Sequence, residues 1–310
     1  MRATHFSIVA MLAGGLLSAA IAAEDTGRWS KGAPMESERG EVAVAELDGK
    51  LYVVGDFGGK QELEIYDPAA DSWSRGANFP RPIHHTAAVG LNGKLYVIGG
   101  YVHEWAPTNA VYEYDPTKEV WSEGTPLDIP RGALAAAVLD GKIHAIGGVG
   151  PDRNNTPAHE VYDPAAKKWS KAKPLPTARD HHAVAALEGR LYVLGGRRNG
   201  DYGKNLNANE AYDPATDSWE KRAPLPTARS GIAAAALGGR VIVVGGEAPT
   251  GTFNQVEGYD PKSNSWSAFA PMPTARHGLG TASVGGKLYV IAGGPKPGGS
   301  ASNVNEIFVP

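Results

Sequence analysis

Six short apolar runs ending in glycine recur along this chain at nearly even distances: KLYVVG (50–55), KLYVIGG (94–100), KIHAIGG (142–148), RLYVLGG (190–196), RVIVVGG (240–246) and KLYVIAGG (287–294). Rich in β-branched residues and free of charge inside, they read as strands buried on both faces. Before each stands a pair suited to a tight hairpin: Asp48-Gly49, Asn92-Gly93, Asp140-Gly141, Glu188-Gly189, Gly238-Gly239 or Gly285-Gly286. Such pairs accept two positive φ values in succession. Before the pair lies a run of small residues, such as LAAAVL (134–139) or IAAAAL (232–237). After the glycines come a loop, a third strand ending in Tyr-Asp-Pro (from Tyr66, Tyr114, Tyr162, Tyr212 and Tyr259) and a fourth strand carrying tryptophan. The pattern has no place for a helix.

Trp29, Trp73, Trp121, Trp169, Trp219 and Trp266 mark the repeat, 44, 48, 48, 50 and 47 residues apart. Four antiparallel strands in each of six units predict an all-β, six-bladed β-propeller. The strand richest in alanine and glycine belongs innermost, where the blades crowd, and the tryptophan strand outermost. The chain ends in NEIFVP, a third strand with no tryptophan after it, while RWSK (28–31) is a fourth strand with no blade before it. The N-terminal strand is therefore expected to complete the last blade and close the ring, leaving no exposed edge between blades.

Residues 1–23 follow a different pattern. Arg2 and His5 precede an 18-residue apolar run that ends in small residues and then meets a charged segment, the layout of a secretory signal peptide. The expectation is a leader over 1–23, a propeller over 24–310, and a periplasmic or secreted protein with no membrane attachment after cleavage. The absence of cysteine removes disulfides, thiol nucleophiles and thiolate metal sites, so stability must come from burial and closure. A formal charge of −3 is too mild, and of the wrong sign, for a nucleic-acid partner. A closed ring needs no partner to fold, so a monomer is expected.

The paired glycines, the Tyr-Asp-Pro and the spaced tryptophans together resemble the kelch repeat family over essentially all of residues 27–308. Two departures stand out. Blade 1 has Gly55-Asp56 in place of the glycine pair, and blade 2 has Tyr112 where the others carry Glu64, Glu160, Glu210, Glu257 and Glu306. The resemblance implies a propeller, and among its members are galactose oxidase, adaptor proteins and an exported sialic acid mutarotase. The oxidase's copper site depends on a cysteine cross-link that this chain cannot make.

An arginine precedes each innermost strand: Arg39, Arg81, Arg131, Arg179, Arg229 and Arg276. Such regularity favours a structural role, each guanidinium tying a turn to a carbonyl or glutamate. An arginine with free donors would instead take a carboxylate or phosphate, and an acidic sugar would suit such a mouth. Function more often lies where repeats differ, in the loops after the glycines. There Trp105 and Tyr202 could stack on a sugar or peptide side chain, with Arg197 and Arg198 beside them. Glu41, Asp180 and His277, each just past a blade arginine, are the nearest catalytic candidates to the channel. His84 and His182, placed in one column with Val42, Leu134, Ile232 and Leu279, read as packed histidines. No metal or other cofactor is expected, because the histidines sit on different blades. The reading that leads is an exported binding module that holds a glycan, peptide or protein on its loop face. The alternative is a sugar-processing enzyme such as a sialic acid mutarotase or epimerase.

Overall fold

The computed structural model describes residues 26–310; the leader expected over 1–23 lies outside them. Six four-stranded antiparallel sheets stand around a central channel, and the described residues contain no helix. The innermost strands are Ala43–Leu47, Ala87–Leu91, Ala135–Leu139, Ala183–Leu187, Ala233–Leu237 and Gly280–Val284, each touching the next all the way round. Arg28–Lys31 pairs with Asn305–Val309, placing Trp29 opposite Phe308 and supplying the outer strand of blade 6. The propeller and its closure are therefore as the repeat pattern requires. Three of the loops after the glycines fold into small hairpins: Tyr101–Val102 with Ala106–Pro107, Arg197–Arg198 with Asp201–Asn205, and Glu247–Ala248 with Gly251–Thr252.

Crowding at the axis explains the small residues. A Cβ on Gly90 would meet the carbonyl of Glu46 at 2.1 Å, and one on Gly280 would meet Val44 at 2.2 Å. These approaches are closer than packed side chains tolerate, so larger residues would force the blades apart.

Two polar devices repeat with the blades. In five of them the arginine before the innermost strand is fully buried and pairs with a buried glutamate of the third strand: Arg39–Glu64, Arg131–Glu160, Arg179–Glu210, Arg229–Glu257 and Arg276–Glu306. Arg131, Arg179, Arg229 and Arg276 also donate to a carbonyl of the second strand, so one guanidinium pins two strands to the turn. The hydroxyls of Thr177, Thr227 and Thr274 donate to the same glutamates at 2.7–2.8 Å, which accounts for the recurring Pro-Thr-Ala-Arg. The second device joins neighbouring blades. Each repeat tryptophan donates its indole N–H to a carbonyl just past the outer strand of the preceding blade, at 2.8–2.9 Å; Trp73 reaches Ala33 and Trp29 reaches Ala270.

Blade 2 departs from the arginine pattern. The bridge between His84 and Tyr101 matches those between Gly132 and Val149, Asp180 and Arg197, and His277 and Gly294. That register puts Ile83, not Arg81, in the arginine position. Ile83 packs in one apolar cluster with Phe79 and Tyr112, so the buried ion pair is replaced as a unit by an apolar pair. Arg81 is exposed, its guanidinium 5.7 Å from the Tyr112 ring. The column assigned to His84 is corrected accordingly: Thr86, not His84, stands with Val42, Leu134, His182, Ile232 and Leu279.

Removing residues 26–35 takes away the outer strand of blade 6 and the Trp29 latch. Trp29 is only partly buried, but its loss also uncovers the fully buried Phe308, and lost aromatic packing of this kind costs about 3–5 kcal/mol. The melting temperature is expected to fall by roughly ten degrees or more, and an unchanged value by circular dichroism would contradict closure by this strand. A second expectation concerns the pins. Arg179→Ala strands Glu210 in the interior and is expected to cost about 3–5 kcal/mol in urea unfolding. Arg179→Ile combined with Glu210→Tyr copies blade 2 and is expected to recover most of that loss.

Candidate functional site

Each blade enters its innermost strand through a residue in the left-handed region: Glu41 (φ 55°), His85 (φ 51°), Ala133 (φ 53°), His181 (φ 51°), Gly231 (φ 64°) and Gly278 (φ 57°). This geometry lets the blades bond to one another around the mouth of the channel. His85 N–H donates to the Glu41 carbonyl, Ala133 to His85, His181 to Ala133, Gly231 to His181 and Gly278 to Gly231, and Val42 N–H completes the circle on Gly278, all at 2.9–3.3 Å. Glycine occupies such a backbone without cost, whereas other residues pay about 1–2 kcal/mol. Blades 1, 2 and 4 nevertheless place Glu41, His85 and His181 there, and all three line the cavity at the mouth. Three of the four non-glycine residues in this strained circle are therefore ionisable and face the cavity.

Around these three the loops add a connected set of charges. Arg197, at the start of its hairpin, exchanges backbone hydrogen bonds with Asp180 at 2.9 and 3.1 Å. Its guanidinium lies between three partners: Asp180 (Nε to Oδ1, 3.3 Å), Glu247 (Nη1 to Oε1, 2.6 Å) and His181 (Nη2 to Nε2, 2.6 Å). His181 Nδ1 faces Asp180, whose other oxygen accepts from Asn155 (2.5 Å) and from the Gly200 N–H (2.9 Å). Accepting from Arg197 at Nε2, His181 carries its proton on Nδ1, oriented by Asp180. Across the mouth, His277 Nε2 sits 3.4 Å from Glu41 and 3.4 Å from Glu247, with Nδ1 on the Gly294 carbonyl. His85 Nε2 approaches Glu41 at 3.3 Å, and its Nδ1 meets His84 Nδ1 at 2.6 Å.

The protonation states follow from these contacts. Burial works against the His277 cation, but the hydrogen bond to Glu41 and the charges of Glu41 and Glu247 raise its pKa above the ordinary imidazole value. Burial would raise Glu41, yet His85 and then His277 and His181 bring it well below the usual carboxylate range. Burial holds His85 neutral, and His84 is lowered for the same reason. Glu41 is thus an ionised carboxylate at the edge of a cavity, kept so by its contacts with His85 and His277.

One side of the mouth is aromatic. Phe57 and Trp105, 42% and 48% exposed, lie with ring centres 5.5 Å apart. Trp105 also stands 5.1 Å from each of the His84, His85 and Tyr101 rings. Tyr202 lies beneath Arg197, with the guanidinium 5.6 Å from its ring centre.

Of the candidates read from sequence, Glu41, Asp180, His277, Trp105, Tyr202 and Arg197 meet at this mouth. Arg39, Arg131, Arg179, Arg229 and Arg276 do not: each is spent within its own blade, and the arginine-lined mouth expected for an acidic ligand is absent among the described residues. Arg198 and Arg81 are exposed, and neither lines the mouth cavities. Glu247 was not legible as a site residue, because it opens a variable loop with no marker of its own. The histidines do converge despite lying on different blades. Glu41, His85 and His181 bring one ligand atom each within 4.8 Å, as do Glu41, Glu247 and His277. Arg197 donates to His181 of the first group, and His277 of the second lies between the two carboxylates.

A six-bladed propeller of four-stranded blades, pinned by buried arginine–glutamate pairs and latched by tryptophan, defines the class. Residues 133–309 match the family model described as the KLHDC2/KLHL20/DRC7 Kelch-repeats domain, and residues 82–127 match the Kelch motif. The chain belongs to the kelch-repeat family. A solved structure titled "Structure of YjhT" is similar, with a TM-score of 0.78 and 17% identity over 88% of this chain and 95% of that one. At that identity the likeness shows the fold. No curated protein matches the chain.

His277 supplies a direct test of the electrostatics. A raised folded pKa stabilises the fold fully below the ordinary imidazole value of about 6.5, and that contribution is lost as pH rises through the folded value. In histidine-selective NMR spectra, His277 is expected to deprotonate above about 6.5. His85 is expected to be neutral at that pH, and the reverse order would overturn the assignment.

Proposed function

We propose that this chain is a sugar-processing enzyme of the mutarotase or epimerase kind, acting at the channel mouth. The observation that carries the reading is Glu41: an ionised carboxylate on a strained backbone, at the edge of a cavity walled by Phe57, Trp105 and Tyr202 and shared with Arg197. The aromatic wall suits the apolar face of a pyranose ring. Membership in the kelch-repeat family and the likeness to the solved propeller agree with a small-molecule site on this scaffold, though fold alone does not assign chemistry.

The chemistry requires moving one proton. Glu41 removes the proton of the anomeric hydroxyl, the bond between the anomeric carbon and the ring oxygen breaks, and an open-chain carbonyl forms. The negative charge that develops on the former ring oxygen is held by Arg197, whose remaining N–H groups are free of the three contacts above. Glu41 then delivers the same proton to that oxygen. Rotation of the carbonyl and closure on its other face give the other anomer by the reverse steps, so atoms and charge balance. His277 and His85 keep Glu41 ionised, and Asp180 and Glu247 fix Arg197.

The reading includes export by way of residues 1–23 and action as a monomer. The binding-module reading draws on the same exposed aromatics, with a glycan, peptide or protein on the loop face. NMR exchange spectroscopy on glucose, galactose and N-acetylneuraminic acid separates the two. Acceleration of anomer exchange by the wild type, reduced about 100-fold or more in Glu41→Gln with ligand binding kept, is expected for a general base. No acceleration with any reducing sugar would leave the binding module.

A further inference from the structure

The mouth is divided into two compartments. One cavity of about 220 Å³ is lined by Glu41, Phe57, Tyr202 and Glu247; a second of about 300 Å³ is lined by Tyr101, Arg153, His181 and Asn199. Trp105, Arg197 and Gly200 line both, so the indole and the guanidinium form their shared wall. Neither cavity exceeds the lower end of the range for drug-sized ligands, about 300–1,000 Å³, so each fits a single sugar ring.

The shared wall is held at a cost. His103, Glu104 and Trp105, the tip of the hairpin between Tyr101–Val102 and Ala106–Pro107, take φ values of 38°, 45° and 72° in succession. Left-handed residues other than glycine normally occur singly. Three in a row, ending in an indole that remains half exposed against four other rings, keep Trp105 standing between the cavities. The two compartments also differ in charge. Glu41 and Glu247 face the first, against Arg197. The second has Arg153 and Arg197 against Glu104.

We propose that the substrate is a glycan of at least two linked rings. It lays an uncharged reducing ring over Glu41 and Glu247 in the first cavity, and its next ring beyond Trp105 in the second. Two carboxylates repel a sugar acid from the first cavity, whereas the second admits a neutral or acidic ring beside Arg153. This inference rests on the sugar-processing reading and narrows it from a monosaccharide to the reducing end of an oligosaccharide.

Maltose, cellobiose and lactose share a glucose reducing ring, so comparing each with glucose isolates the second ring. Anomer exchange by the wild type is expected to be at least about ten-fold more efficient in kcat/KM for one of the three than for glucose. Arg153→Ala and Asn199→Ala are expected to bring that ratio toward one. A wild-type ratio near one for all three, with glucose accelerated, overturns the inference. Saturation-transfer NMR on the same disaccharides reads the site without turnover. Contacts to both rings support two compartments even if no exchange is seen, in which case the catalytic reading alone fails; contacts to one ring only, or none, overturn the proposal.

Discussion

Six blades can share a channel only if the chain turns sharply into each innermost strand and bonds there to its neighbour. The circle of hydrogen bonds through Glu41, His85, Ala133, His181, Gly231 and Gly278 meets that demand, and it requires a left-handed residue at every step. Blades 5 and 6 use glycine, the residue the backbone prefers. Where blades 1, 2 and 4 accept glutamate or histidine, local preference and global fold disagree, a conflict natural sequences keep mainly where function repays it. The site is thus built on the same positions that close the ring, and its side chains inherit the rigidity of that circle.

Charge is sorted by distance from the axis. Within the blades each buried guanidinium has its own carboxylate, so the interior holds five ion pairs. Blade 2 shows that the pair can be exchanged for Ile83 and Tyr112, which fits the general finding that a buried pair and a well-packed apolar pair are close in stability. At the mouth the balance is different. Asp180, Glu247 and Glu41 share Arg197 and His277, three carboxylates around two basic groups.

The architecture was legible because it rests on periodic features: the tryptophan spacing, the hairpin pairs, the alanine-rich strands and the unmatched strand at each end. The site was only partly so. Glu41, Asp180, His277, Trp105, Tyr202 and Arg197 could be picked out by position, yet aligning blade 2 on Arg81 shifted its register by two residues and hid the equivalence of His85 with Glu41 and His181. Left-handed φ at a non-glycine residue leaves no mark in the residue type. Convergence of side chains from blades 1, 2, 4, 5 and 6 depends on the curvature of the ring, which no local pattern carries.

Closure by Arg28–Lys31 joins the last strand of the chain, Asn305–Val309, to the first described one. The pairing of Trp29 with Phe308 is among the longest separations in sequence that the fold contains, and contacts of this kind form late because the intervening loop must first be ordered. Blades 1 to 5 can assemble in order as the chain becomes available, while blade 6 stays one strand short until Val309 is in place. The circle at the mouth closes across the same seam between blades 6 and 1, through Val42 N–H on the Gly278 carbonyl, so the alignment of Glu41 against His277 depends on both ends of the chain being held together.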